Sequence, residues 1–165
     1  MSEQKKTRPK AEEAVSKLLS GETQKNALDF ISFMKDNKLS LGYASNSWKS
    51  TYKGKSVCYL LVHENEWTLR FSHFTREKWF VDYDCYIIEA KLKDFIVNNI
   101  NPRNCPGRDC GASKSRTILG KNFDEVCTCW PLYLKNLSGE DIEYIKKYIL
   151  VIKKYIADLP VVDKK

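Results

Sequence analysis

The first part of the chain repeats its hydrophobic residues at the three- and four-residue spacing of an amphipathic helix. This pattern covers residues 10–20 and returns in residues 22–36, and Gly21 between them predicts the end of the first helix. Asn37 is a candidate for a left-handed cap at the end of the second helix. Residues 1–9 are polar and unpatterned, which predicts a disordered tail.

After a predicted loop at residues 38–47, the hydrophobic period changes from that of a helix to that of a strand. Four strands are predicted, the first two joined by a turn at Lys53-Gly54, and they cover residues 48–52, 56–62, 67–74 and 78–81. The second is apolar on both faces, which indicates a central strand. The third alternates, with Trp67, Leu69 and Phe71 on one face and Thr68 and Arg70 on the other, which is typical of a half-exposed antiparallel strand.

The second half of the chain predicts two helices separated by a cysteine-rich segment. Residues 85–98 predict one helix, and residues 126–134 one or two short strands. Ser138 and Asp141 fit a capping box before a final helix. Its apolar stripe is more consistent with a helix lying across the sheet than with a dimer interface, and it consists of Ile142, Ile145, Ile149, Ile152, Ile156 and Leu159.

Together these elements predict an α+β fold in one domain covering residues 10–160. We expect an antiparallel sheet of about four to six strands with helices packed on one face, and a cysteine-rich loop before the last helix. A chain of 165 residues, 42% of them hydrophobic, is large enough to bury a core without help from disulfides or a metal. No apolar run approaches the ~20 residues of a membrane span, and no secretory signal is recognisable, so we expect a cytoplasmic protein.

One part of the chain is similar to a known family. Residues 22–75 combine helices with the segment S-W-K-S-T-Y-K-G-K-S-V-C-Y-L and an aromatic strand. This pattern resembles the YdhG-like small bacterial domains. The resemblance implies a mixed α/β domain with a curved antiparallel sheet and no assigned reaction. The cysteine motif is not part of this pattern and gains no support from it.

The candidate chemistry lies in residues 101–131, which hold four of the six cysteines in the pattern C-x4-C-x16-C-x-C. The segment C-P-G-R-D-C-G resembles a zinc-ribbon knuckle with two residues inserted. Cys127 and Cys129 would point to the same face of an ideal strand. We therefore predict zinc as a candidate cofactor, bound by Cys105, Cys110, Cys127 and Cys129. Free thiols and a redox disulfide between Cys105 and Cys110 remain alternatives.

The remaining residues offer little further chemistry. Cys58 and Cys85 lie among apolar residues and are predicted to be buried core thiols. His63 and His73 are the only histidines, which argues against a histidine metal site or a histidine-dependent catalytic triad. No motif of a hydrolase, zinc protease or dinucleotide-binding enzyme occurs. We expect a binding or interaction module rather than an enzyme, with a thiol-redox protein that uses the cysteine cluster as an alternative.

The net charge of +7 and the cationic segment at residues 111–116 add nucleic-acid binding as a third hypothesis. Aromatic residues crowd the predicted sheet, where core packing explains them best, although exposed rings beside cations can also stack bases or line a pocket for a small ligand. They are Trp48, Tyr52, Tyr59, Trp67, Phe71, Phe74, Trp79 and Phe80. A small ligand or a protein is the expected partner, and membrane binding is not expected.

Overall fold

Helices pack on one face of a five-stranded antiparallel sheet, and a separate hairpin lies in the chain before the last strand of that sheet. The structure is a computed structural model, and it describes residues 9–71, 86–87, 91–101 and 113–159. The helices are α1 (Ala11–Leu18), α2 (Gly21–Asp36), α3 (Lys93–Asn98) and α4 (Gly139–Asp158). The strands are β1 (Ser40–Ala44), β2 (Ser47–Tyr52), β3 (Lys55–His63), β4 (Glu66–Phe71), β5 (Ser113–Ile118), β6 (Lys121–Cys127) and β7 (Leu132–Lys135). The predicted α+β fold is confirmed.

The sheet has the order β1-β2-β3-β4-β7, with every neighbouring pair antiparallel. The predicted central strand is confirmed, because β3 is the middle strand of the five. One face of the sheet, its inner face, packs against the helices. The ring centroid of Phe30 in α2 lies 5.8 Å from that of Trp67 in β4, and the centroid of Tyr148 in α4 lies 5.2 Å from that of Phe71 in β4. The prediction that Thr68 is exposed is wrong, since only 1% of its surface is accessible.

Two tight turns define the strands at the start of the sheet. The predicted turn at Lys53-Gly54 is confirmed, with φ of 47° and 73°. Ser45 and Asn46 form a second turn with φ of 49° and 60°, and positive φ at both central residues is typical of a type I′ hairpin. The predicted loop at residues 38–47 is therefore wrong, because β1 occupies half of it. Strand β1 has few hydrophobic residues, so its sequence shows no clear strand pattern. Its pairing with β2 stabilises it as a strand.

The ends of the first two helices differ in detail from the prediction. Gly21, with φ of 58°, begins α2, whereas α1 already ends at Leu18. Asn37 has φ of −89° and is not left-handed; the left-handed residue is Lys38, with φ of 60°. The N–H of Lys38 donates to the carbonyl of Lys35 (2.8 Å), and that of Leu39 to Met34 (2.9 Å). This is a Schellman motif with lysine where glycine is usual.

Helix α4 packs against the sheet and beside α2. All five isoleucines of its predicted stripe are buried, namely Ile142, Ile145, Ile149, Ile152 and Ile156. Lys146 pairs with Asp29 (2.7 Å), and the Lys153 ammonium donates to the carbonyl of Asn37 (2.7 Å), so the two helices run in the same direction. The capping box does not form in this described segment: the Ser138 hydroxyl bonds to the carboxylate of Asp141 (2.8 Å), not to backbone N–H.

The predicted helix at residues 85–98 is wrong as a continuous element. Lys91 has φ of 56°, which interrupts it, and α3 begins only at Lys93. Of the preceding residues, Tyr86 and Ile87 are described and helical. Helix α3 packs on α4, with the rings of Phe95 and Tyr144 stacked at 5.1 Å.

Strands β5 and β6 form a hairpin where the sequence predicted a loop without pattern. Leu119 and Gly120 make the turn, with φ of 52° and 80°. Buried side chains are sparse here and include Ile118 and Val126, so the strand period is weak in the sequence. The predicted strand at residues 78–81 lies outside the described residues.

Candidate functional site

The four predicted metal ligands are only half described. Cys105 and Cys110 lie outside the described residues. Cys127 is buried at the end of β6, and its Sγ accepts a hydrogen bond from the N–H of Trp130 (3.4 Å). Cys129 is exposed. The two thiols do not share a strand face, because β6 ends at Cys127.

Within the described ranges, no group of three or more Cys, His, Asp or Glu side chains is arranged to hold a metal. The zinc site and the disulfide between Cys105 and Cys110 both stay predictions. Cys85 and His73 also fall outside the described residues, and His63 is exposed at the end of β3.

The predicted core thiol at Cys58 is confirmed. Cys58 is fully buried on the helix-covered face of β3, and burial raises the pKa of its thiol to about 12. A thiol with this pKa carries almost no thiolate at neutral pH, and the thiolate is the reactive form. Cys58 is therefore a packing residue and not a nucleophile.

A different set of residues comes together on the face of the sheet opposite helices α1, α2 and α4. Lys49, Tyr59, Arg70 and Tyr133 are direct cross-strand neighbours on β2, β3, β4 and β7, so their side chains lie in one row across the sheet. All four are half-buried. We call this row, together with Trp130 and Lys135, the basic aromatic face.

Each ring of the basic aromatic face lies close to a cation. The Lys49 ammonium is 5.9 Å from the centroid of the Tyr59 ring. The Arg70 guanidinium is 5.8 Å from the ring of Trp130 and 5.2 Å from that of Tyr133. The rings of Tyr59 and Trp130 meet edge to face at 5.0 Å and 74°. These distances lie within the range of cation–π attraction and of aromatic pairing.

A buried asparagine fixes the segment that carries Trp130. Asn101 is 8% exposed, and its side-chain amide donates to the carbonyl of Trp130 (3.1 Å). Its backbone N–H donates to the carbonyl of Pro131 (2.7 Å), and its own carbonyl accepts from the N–H of Cys127 (3.1 Å). Three hydrogen bonds to one residue therefore hold the backbone between β6 and β7, which places the Trp130 ring over β3 and β4.

The basic aromatic face is electropositive. Glu66 is the only acidic residue in β2, β3, β4 and β7, and it pairs with Lys135 (3.0 Å). The hydrogen bond to Glu66 raises the pKa of Lys135. Lys49 and Arg70 form no salt bridge within the described part of the chain. Two cations of this face are therefore available to an anion.

Two polar atoms beneath this face lack a partner among the described residues. The hydroxyl of Thr68 and the Nε of Arg70 are both buried, and neither makes a hydrogen bond there. A buried polar atom without a hydrogen-bond partner lowers the stability of the fold. A substitution or a ligand that removes this cost at either atom should therefore raise the free energy of unfolding.

The sequence predicts part of this face. Trp48, Trp67 and Phe71 are buried under the helices, as the core interpretation predicts. The alternation in β4 correctly placed Arg70 on the outer face. Trp130 and Tyr133 were missed, because only the pairing of β4 with β7 brings them next to Arg70. Phe74, Trp79 and Phe80 lie outside the described residues.

No helix that the structure describes is long and apolar enough to cross a membrane. The cytoplasmic location and the resemblance to YdhG-like domains stay predictions. In comparisons with protein-family models, curated proteins and solved structures, the chain gave no match.

Proposed function

We propose that this protein is a non-enzymatic binding module whose basic aromatic face binds single-stranded nucleic acid. The observation that carries the proposal is that Tyr59, Trp130 and Tyr133, all half-exposed, lie beside lysine or arginine on one face of the sheet. Unpaired bases stack on aromatic rings, and cations beside the rings attract the phosphate backbone. The net charge of +7 adds a long-range attraction.

The arrangement of the rings favours a single strand over a duplex. Neighbouring strands of a sheet are about 4.8 Å apart, so Tyr59 and Tyr133, on strands two apart, present rings about 10 Å from each other. Trp130 lies between β3 and β4 and contacts both Tyr59 and Arg70. Rings on a flat sheet face can meet unpaired bases, whereas the bases of a duplex are stacked on each other.

The proposal is tested by fluorescence anisotropy with a labelled oligothymidylate of about ten nucleotides. We expect binding at low salt that weakens steeply as salt increases, because bound phosphates release counterions. Stacking is worth about 1–3 kcal/mol per base, so Tyr59→Ala and Tyr133→Ala should each weaken binding by about 5- to 150-fold. Trp130→Phe should remove most of the tryptophan quenching caused by the oligonucleotide and retain most of the affinity.

A matched pair of lysine variants separates a local site from general charge. Lys147 lies over the ring of Tyr144 (5.6 Å) on α4, much as Lys49 lies over Tyr59, but on the helical side of the molecule. Lys49→Gln should reduce affinity and lower the salt slope by about one phosphate contact, whereas Lys147→Gln should change neither.

Equal effects of the two lysine substitutions would mean that only the net charge matters. No binding to the oligonucleotide at low salt would refute the proposal. Circular dichroism of each variant shows whether the fold is retained.

A further inference from the structure

The outer edge of the sheet at β1 is open. Strand β1 pairs with β2 on one side, and within the described residues no strand pairs with its other side. Its sequence, Ser-Leu-Gly-Tyr-Ala, has no charge and no proline. Natural edge strands usually carry such residues, because an unprotected edge is a template for a further strand. The open edge is therefore a candidate interaction surface.

The register of the hairpin shows which backbone groups point outward. The two-residue turn at Ser45-Asn46 makes Ala44 and Ser47 a hydrogen-bonded pair, and hydrogen-bonded pairs alternate along an antiparallel ladder. Ala44 and Gly42 therefore bond to β2. The N–H and carbonyl groups of Leu41 and Tyr43 point away from the sheet and are placed to pair with a further strand.

A groove lies on each side of this edge. The groove on the helical side has a volume of about 470 Å³, and its apolar lining is Pro9, Ala11, Leu39, Leu41, Tyr43 and Trp48. Its floor is fixed, because the Trp48 indole N–H donates to the carbonyl of Pro9 (3.0 Å) and its ring lies 5.1 Å from that of Tyr43. The groove on the opposite side has about 320 Å³ and is lined by all five residues of β1 together with Lys49 and Thr51 of β2.

The charges around the edge distinguish between occupants. Lys35 and Glu12 form an ion pair in the helical groove, which leaves Lys10 as the cation there without a salt bridge among the described residues. Among the described residues that line the opposite groove, Lys49 is the only charged one, and none of them is a carboxylate. A bound strand is thus favoured by apolar side chains toward the helices and acidic side chains toward Lys49. A second copy of a chain with charge +7 would instead be repelled.

From this geometry we propose that the open edge of β1 binds an extended acidic peptide as a sixth strand of the sheet. The peptide pairs antiparallel with the outward groups of Leu41 and Tyr43, as neighbouring strands do throughout this sheet, and these backbone hydrogen bonds give affinity. Alternation of apolar and acidic residues in the peptide gives specificity, as in other cases where a peptide is added to a sheet edge. This surface is separate from the rings of the basic aromatic face and shares only Lys49 with it.

The probe is the capped peptide Glu-Ile-Glu-Ile-Glu-Ile-Glu, measured by isothermal titration calorimetry. Residues directly opposite on neighbouring strands share a face, so the isoleucines pair with Leu41 and Tyr43, and their N–H groups bond to β1. N-methylation of the isoleucine amides should abolish binding. N-methylation of the same number of glutamate amides should leave binding largely unchanged, because those N–H groups point to solvent.

Variants of the protein test the same contact from the other side. Leu41→Ala and Leu41→Pro both remove the isobutyl group, but only proline removes the outward N–H, and proline is tolerated on edge strands at such positions. We expect Leu41→Pro to bind the peptide at least about tenfold more weakly than Leu41→Ala does, because it loses one hydrogen bond worth about 1.4 kcal/mol. If Leu41→Pro does not fold, the comparison of the two N-methylated peptides still tests the proposal.

The outcomes separate this inference from the proposed function. Tyr59→Ala should keep peptide binding, because Tyr59 does not line either groove. Equal binding of the two N-methylated peptides, or of a lysine analogue in place of glutamate, would overturn the inference. So would a stable dimer in sedimentation that Leu41→Pro dissociates, because the edge would then belong to a second copy.

Discussion

Replacing Thr68 by valine should make the protein more stable. Thr68 lies in β4 with 1% of its surface accessible, and its hydroxyl makes no hydrogen bond among the described residues. Valine has nearly the same shape, and both side chains favour the extended backbone. The substitution therefore removes a desolvated hydroxyl while it leaves the packing in place.

The expected magnitude follows from the cost of that hydroxyl. A buried polar group without a partner costs about 1–3 kcal/mol, and the methyl group that replaces it contributes up to about 0.8 kcal/mol of apolar burial. Since the neighbouring atoms adjust in part, we expect an increase of about 1–2 kcal/mol in the free energy of unfolding. With a urea m-value of about 2 kcal/mol/M, the midpoint should rise by about 0.5–1 M.

Thr51→Val is the matched control for this prediction. Thr51 lies on the same sheet face in β2, but its hydroxyl is hydrogen-bonded to that of Ser40 (2.5 Å). The same substitution should therefore lower stability there, by about 0.5–1.5 kcal/mol. Urea unfolding followed by tryptophan fluorescence measures both variants. A loss of 1 kcal/mol or more for Thr68→Val with an unchanged m-value would show that its hydroxyl has a partner, and would refute the reasoning.

Two further predictions concern the cysteines. Native mass spectrometry of protein purified without chelator should show one zinc that is lost in Cys105→Ser and Cys129→Ser but kept in Cys58→Ser; a bare chain with six free thiols would contradict both the zinc and the disulfide predictions. The pKa of Cys58 rises from 9.0 to about 12 on folding, so its neutral thiol contributes fully to stability below pH 9 and loses this contribution as the pH rises toward 12. The stability difference between the natural protein and Cys58→Ala should shrink by up to about 1.4 kcal/mol per pH unit above pH 9, and a constant difference in urea unfolding would argue against this burial effect.

The elements that the sequence predicts well are those with a strong local pattern. The stripe of isoleucines defines α4, and the turn at Lys53-Gly54 sets the register of β2 and β3. The alternation in β4 separates buried Leu69 from half-exposed Arg70. In each case the residues that decide the structure are neighbours in the chain, so their spacing carries the information.

The elements that the sequence misses depend on distant partners or on unusual turn residues. Strand β1 and the hairpin of β5 and β6 bury few side chains, and their turns use Ser45 and Leu119 at positive φ where glycine is the usual signal. The basic aromatic face is missed for the same reason. Tyr133 comes 63 positions after Arg70 in the chain and reaches it only through the pairing of β4 with β7. A local hydrophobic period does not reveal a contact between residues so far apart.

The pairing of β4 with β7 also determines when the protein can finish folding. Phe71 pairs with Leu132, so 61 further residues must be synthesised before β4 can pair with β7. At 5–20 residues per second this interval is roughly 3–12 seconds, far longer than a hairpin needs to form. The Phe71 end of the inner face of β4 is uncovered for at least as long, because the helix that packs on it, α4, follows β7 in the chain. The nascent chain therefore leaves Phe71 uncovered by α4 in this interval, and transiently exposed apolar surface of this kind promotes aggregation.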